Sequence, residues 1–219
     1  MEKDSKKNPA QDPEKIKATL KSLRIKLGKK RKSIDNEDII VLVQDECHLL
    51  WKDALGYVWG KKCERIEIPI KNEKERQTYF GCANLVDGEA MVKKYNTGNS
   101  ENSVLFLKEV LRKYQGKQII LLWDRATYHT GNAVKIFLKE LNDGLEKKDW
   151  KLRLELLPVA APEENPMETI WLKAKNKVRD LFIECEVFKD VKRIFEEYVS
   201  SNIFTFEKMK NFGDFSKII

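Results

Sequence analysis

Three acidic residues in this chain each stand where an apolar run gives out. Asp45 comes just after Ile39-Ile40-Val41-Leu42-Val43, Asp124 directly follows Ile119-Ile120-Leu121-Leu122-Trp123, and Glu168 lies shortly beyond the run from Leu152 to Leu157. The first two runs, continuous and apolar, predict strands buried on both faces, and the third, with Arg153 and Glu155 interposed, predicts a strand as well. In an open α/β sheet, sites form beyond the carboxyl ends of the strands. Parallel neighbours would therefore bring all three carboxylates to one edge, where they repel one another unless a cation lies between them. An oxygen-only ligand set suits Mg²⁺, or Mn²⁺ as its substitute. Two such ions, roughly 3.5–4 Å apart, activate a water or a 3′-hydroxyl and stabilise the leaving oxygen of a phosphodiester.

Each acid also has an ordinary reading. Aspartate at a strand end is a common turn former or helix cap. Glu46 competes with Asp45, because alternation along a strand sends the two to opposite faces. Asp45 is carried as the ligand and Glu46 as a supporting neighbour. Asn165 is a good N-cap and Pro166 suits a first helical position. Glu168, three residues after Asn165, also fits a capping box, in which it would bond back to the cap.

The elements that must position these acids follow from periodicity. Ile16, Leu20, Leu23 and Leu27 give one apolar helical face from about Pro13, ended by Gly28. Residues 1–12 are polar and lysine-rich, the composition of a disordered leader. Gly56 to Lys62 reads as a glycine-bounded loop. Arg76–Leu85 and Glu89–Tyr95 flank Asp87-Gly88 and predict a hairpin. Helices are predicted over Ser100–Tyr114, Gly131 to about Leu145, Asn165 to about Phe182 and Val187 to about Ser200. Strands are predicted at Ile39–Val43, Gln118–Trp123 and Leu152–Leu157, with the charged stretch Glu140–Lys151 at the surface. The order is that of an α/β fold, a mixed sheet carrying helices on its faces.

Composition narrows the class. The chain has 219 residues, 42% of them hydrophobic, enough for one domain with a core. No apolar run approaches the roughly 18 residues of a membrane span, and the charged N-terminus has no apolar core of a secretory signal. The four cysteines and two histidines make no zinc spacing, so the thiols read as reduced, in a cytoplasmic protein. The net charge is +7, and residues 1–35 hold all of it, with 12 Lys/Arg against 5 Asp/Glu. That bias, which includes the cluster Lys29, Lys30, Arg31 and Lys32, suits contact with a polyanion or, equally, a solvated tail that aids solubility.

Three blocks carry a family resemblance: Val43-Gln44-Asp45-Glu46, then Leu122-Trp123-Asp124-Arg125-Ala126-Thr127-Tyr128-His129, then Leu157-Pro158 to Pro162-Glu163-Glu164-Asn165-Pro166-Met167-Glu168-Thr169-Ile170-Trp171. They resemble the catalytic blocks of mariner-type DDE transposases, in particular the branch carried by bacterial and archaeal insertion sequences. The Gly56–Lys62 loop with Trp59 resembles that branch's segment after the first Asp. The resemblance implies an RNase H-like sheet flanked by helices over residues 39–205, preceded by a basic tail and helix (1–38) and followed by a C-terminal tail (206–219). It implies two Mg²⁺ ions held by Asp45, Asp124 and Glu168, and cut-and-paste transposition by DNA cleavage and strand transfer. His129 would stand near the site as a phosphate or water contact or as a structural histidine. Asn165 would position the Glu168 helix, and Trp171 reads as core. Lys29–Lys32 would bind DNA phosphates, with element ends and target DNA as partners and a homodimer as the working unit.

Two departures accompany the resemblance. Between Asp124 and Glu168 lie 43 residues, more than the family usually shows, with Glu140–Lys151 as the insertion. Family members also carry helix-turn-helix modules ahead of the first block, which one amphipathic helix does not supply. The expectation is a DNA-reading half on a separate polypeptide. The alternatives are a relic that only binds DNA or assembles, and an RNase H-like nuclease that cuts RNA in a hybrid.

Overall fold

The computed structural model describes residues 12–55, 63, 74–126, 129 and 131–213. The leader before residue 12, the loop read over Gly56–Lys62 and the last six residues lie outside them. Five strands form one sheet: β1 (Ile39–Leu50), β2 (Arg76–Asn84), β3 (Ala90–Tyr95), β4 (Gln118–Trp123) and β5 (Leu152–Leu156). Their order is β3-β2-β1-β4-β5. The first three strands form an antiparallel meander, while β4 and β5 run parallel to β1. Helix α3 (Ser100–Lys113) carries the chain from β3 to β4, and α4 (Asn132–Leu141) carries it from β4 to β5. Parallel neighbours require such crossovers. This is an RNase H-like mixed sheet with helices on both faces.

Alternation along the strands sorts the core. Ile40 and Leu42 of β1 and Ile119, Leu121 and Trp123 of β4 face Phe106, Leu107 and Val110 of α3 and Val134 of α4. Ile39, Val41 and Val43 of β1 and Ile120 and Leu122 of β4 face the other way. They meet α5 (Pro166–Asp180) through Met167, Ile170, Trp171 and Ala174, and α6 (Phe188–Ser201) through Val191, Ile194 and Phe195. Leu23 and Leu27 of α1 (Pro13–Gly28) and Ile34 of α2 (Arg31–Asp35) join this second cluster. So do Phe204, Phe212 and Met209, the last on α7 (Glu207–Lys210). Residues on both sides of the 39 and 205 boundaries therefore share one core with the residues between them.

β1 corrects the sequence reading most. The pattern ends it at Val43, ahead of the polar Gln44-Asp45-Glu46, yet the strand continues to Leu50. The reason lies in β2, which pairs with it from Leu42↔Asn84 through Leu50↔Arg76. Its parallel partner β4 leaves after Val43↔Leu122. Asp45 thus sits inside an antiparallel ladder but beyond the last parallel pair, where the sheet has opened on one side.

Gly81 lies opposite Asp45 in that ladder. A Cβ added there would come within 2.9 Å of Trp171 Cζ2 and 3.0 Å of Met167 Cε. Both atoms belong to buried side chains, so the space for a methyl group has to be made by displacing core. Gly81→Ala is expected to cost about 1–3 kcal/mol, the range for overpacking. In thermal unfolding the midpoint should drop several degrees, and an unchanged midpoint would mean that the indole has room to yield.

Candidate active site

Asp45, Asp124 and Glu168 line a single cleft of about 270 Å³, together with Arg125, Ala126, Asn165 and the loop Leu157–Pro162. The structure thus brings together the three acids that the sequence singles out. Asp45 comes from the overhang of β1, Asp124 from the first position after β4, and Glu168 from the first turn of α5. Ala160 in the loop takes a left-handed conformation, with φ of 52°, and turns the chain from β5 back toward α5.

Asn165 sets the start of α5. Its side chain accepts a hydrogen bond from Met167 N–H at 3.0 Å and donates to the Gln44 carbonyl at 3.2 Å. One buried amide therefore caps the helix and ties it to β1 beside Asp45. The capping-box alternative for Glu168 does not hold, because the cap's own N–H goes to the Pro162 carbonyl at 2.9 Å. The Glu168 side chain is exposed and borders the cleft.

The two aspartates are held from behind. Asp45 Oδ2 accepts from the indole N–H of Trp171 at 3.2 Å. Asp124 Oδ1 accepts from Ala126 N–H at 2.9 Å and lies 2.8 Å from His129 Nδ1. Electrostatics separate the pair. Burial, then the charges of Glu168, Glu46 and Asp124, raise the Asp45 carboxyl well above the usual range. Burial also pushes Asp124 upward, but His129 and the Ala126 N–H outweigh it and hold the carboxyl below its ordinary value.

Of the two readings of His129, the structure favours the structural one. It is 2% exposed and stacks on Trp123 with ring centroids 4.2 Å apart, so it meets neither solvent nor a substrate phosphate. Its Nε2 lies 2.8 Å from Glu46 Oε1. Burial lowers its pKa, but Asp124 and Glu46 on either side more than compensate and raise it to about 9. Glu46 faces away from the cleft, as alternation requires. Lys29, Lys30, Arg31 and Lys32 do not join the acids. They flank the start of α2, ahead of β1, and the seven residues from Ile39 to Asp45 span roughly 20 Å of strand. Arg31 is paired with Asp35 at 2.7 Å.

Trp171 is both core and site. It packs on Phe195 with centroids 5.7 Å apart while its N–H reaches Asp45. Its apolar face was legible from helical spacing, but its acceptor, 126 residues away, was not. Trp171→Phe keeps the stacking and removes the donor. The expected result is a fall in cleavage rate of about tenfold, or 1.4 kcal/mol, with unfolding stability changed by less than about 1.5 kcal/mol. Single-turnover kinetics beside a thermal melt would separate the two effects, and an unchanged rate would make the indole N–H irrelevant to chemistry.

The donor set fits a hard divalent cation, since three carboxylates border one cleft and the most buried of them is destabilised by the charges of the others. As the side chains stand, no group of three or more Asp, Glu, His or Cys residues among the described ones is spaced to hold a metal ion.

Comparison with known proteins adds the following. Among solved structures the chain is similar to the Mos1 transposase paired-end complex with left transposon end, at 18% identity and a TM-score of 0.47, covering 94% of this chain and 68% of that one. It is similar to the Mos1 mariner paired-end complex with Mn at 19% identity and a TM-score of 0.47, with the same coverage. It is also similar to the HTLV-2 integrase catalytic core domain in complex with magnesium, at 10% identity and a TM-score of 0.44, covering 72% of this chain and 83% of that one. No curated protein matches the sequence. The family model of the DDE superfamily endonucleases matches residues 40–191, a span that holds all three cleft acids, and the chain belongs to that family.

Proposed function

We propose that this chain is the catalytic domain of a DDE transposase, which cleaves DNA at the ends of a mobile element and joins the resulting 3′-hydroxyls to target DNA. The observation that carries this reading is the meeting of Asp45, Asp124 and Glu168, far apart in sequence, at one cleft. Asp45, Asp124 and Glu168 would hold divalent ions there, Mg²⁺ by preference and two in number. Such ions supply an activated nucleophile and charge stabilisation for an in-line phosphoryl transfer. The protein's part is positioning: Trp171 orients Asp45, Ala126 N–H and His129 orient Asp124, and Asn165 fixes the helix that presents Glu168. Arg125 is exposed on the cleft lining and is placed to take a DNA phosphate.

The neighbouring Mos1 structures hold transposon DNA, and DNA is the proposed partner here, with element ends and target as its two forms. A homodimer as the working unit completes the proposal. The test is a cleavage and strand-transfer assay on labelled duplex carrying the element's ends, in Mn²⁺, comparing wild type with Glu168→Gln. Metal-dependent nicking and joining by wild type alone is the expected result. Equal activity in the two proteins would reduce Glu168 to a helix-start residue and remove the triad. Cutting of an RNA–DNA hybrid in preference to duplex DNA would replace the transposase by a hybrid-specific nuclease.

A further inference from the structure

Behind the cleft, on the α3/α4 side of the sheet, lies a chain of buried polar groups that metal-ligand chemistry alone does not require. Gln44 Nε2 donates to Glu46 Oε1 at 2.9 Å, and His129 Nε2 lies 2.8 Å from the same oxygen. The other ring nitrogen of His129 lies 2.8 Å from Asp124 Oδ1, which Ala126 N–H also reaches at 2.9 Å. The ring is fixed in plane by Trp123, to which it lies within 7° of parallel. Side-chain exposure is 1% for His129 and 8% for Glu46, so neither can serve solvent or substrate directly. A polar chain buried at this depth costs desolvation, which its internal contacts offset while they hold its members in place.

The asymmetry at Asp124 gives the chain its meaning. Both inward contacts fall on Oδ1, which leaves Oδ2 for the cleft. A carboxylate anchored in this way cannot turn to chelate an ion through both oxygens. We propose that Glu46 and His129 form a positioning pair that selects Oδ2 of Asp124 as a single-oxygen ligand and holds it there before any cation arrives. The inference rests on the metal-site reading above and deepens it. The logic is that of outer-shell partners in metal sites, where groups behind the ligands set orientation and contribute 10–100-fold in affinity. Gln44 extends the chain by fixing Glu46, and its backbone carbonyl receives Asn165, so one residue braces both the Asp124 and the Glu168 supports.

The test uses the full chain and Mn²⁺ alone, with affinity read by isothermal titration calorimetry and folding checked by melts in EDTA. His129→Leu removes both contacts, whereas His129→Asn places an amide N–H near the position of ring Nδ1. The leucine variant should bind Mn²⁺ roughly 10–100-fold more weakly than wild type, and the asparagine variant should recover most of that loss. Glu46→Gln, whose amide oxygen still accepts from the ring, should bind better than Glu46→Leu. On DNA, these losses should appear in kcat with KM for the duplex little changed. Wild-type Mn²⁺ affinity in His129→Leu, or an asparagine variant no better than leucine, would overturn the positioning pair. Should His129→Leu fail to fold in EDTA, the Glu46→Gln and Glu46→Leu comparison carries the decision. Asp124→Asn keeps the two failures apart. If it loses Mn²⁺ binding while His129→Leu does not, only the pair falls. If it binds Mn²⁺ as wild type does, the metal site itself falls.

Discussion

Asp45→Asn should abolish DNA cleavage and, in the absence of metal, make the protein harder to unfold. The two effects have one cause. Asp45 is the most crowded carboxylate in the cleft, its ionised form opposed by burial first and then by Glu168, Glu46 and Asp124. A carboxyl whose folded pKa lies above its unfolded value contributes most to stability in acid. It loses that contribution as pH rises from the unfolded value near 3.8 to the raised folded one. Above that window the metal-free wild type carries the full cost of the buried charge. Asparagine is nearly the same shape, can still accept from Trp171, and carries no charge.

Melts in EDTA at neutral pH should therefore place Asp45→Asn at least about 2 °C above wild type, the shift that about 1 kcal/mol produces in a chain of this size. The difference should shrink toward acid, since wild type is then protonated as well. Asp124, whose folded value is depressed, runs in the opposite sense and is common to both proteins. Adding Mn²⁺ should reverse the ranking. Wild type would gain about 2.7 kcal/mol at a hundred times its dissociation constant, and the variant little. Cleavage should fall by more than about a thousandfold, as expected when one member of a metal-binding set is removed. A variant less stable than wild type in EDTA would show that the carboxylates are not in conflict.

The largest loss of folding stability is expected for Asn165→Ala. The substitution removes an N-cap, typically about 0.5–2 kcal/mol, and leaves the buried Gln44 carbonyl without its side-chain donor, about 1–3 kcal/mol more where nothing replaces it. A total of about 2–4 kcal/mol should be visible as a lowered denaturant midpoint with unchanged slope. Asn165→Asp makes the sharper comparison. It preserves the cap acceptor but sets a carboxylate against the Gln44 carbonyl and beside Glu168, so it should be no more stable than alanine and bind Mn²⁺ worse than wild type. If aspartate restored full stability, the link from Asn165 to β1 would contribute nothing.

What the sequence disclosed and what it concealed divide along physical lines. Asp124 and Glu168 were legible because local features flank them: an unbroken apolar strand before one, and a proline-bounded helix start around the other. Asp45 was legible as a residue but not as a position. Gln44-Asp45-Glu46 looks like a strand's end, and only pairing with β2 carries the ladder on to Leu50. A weak signal was present, since Cys47 and Leu49 are buried on either side of exposed His48, the period-two pattern of a continuing strand. The sequence left His129 open between two roles because its partner Glu46 is 83 residues away, and a lone histidine carries no local mark of what it touches. The C-terminal residues were apolar enough to pack but carried no periodicity. Phe204 found its place through Gly88, whose carbonyl receives its N–H at 2.9 Å.

The bond from Asn165 to the Gln44 carbonyl closes a loop of 121 residues, and this has a consequence for biosynthesis. Synthesis at about 5–20 residues per second delivers β1 many seconds before the helix that completes its cleft. During that interval the overhang of β1 can pair with β2, a local hairpin-like event, while the acid from α5 is still absent. Long-range closure is also the slow step in folding, because chain entropy is lost before contacts repay it. A nascent or truncated chain that ends before α5 therefore carries the first two acids without the third. Under the proposed triad, cleavage would begin only with the closing contact of the fold, and incomplete copies of the protein would be inert toward DNA.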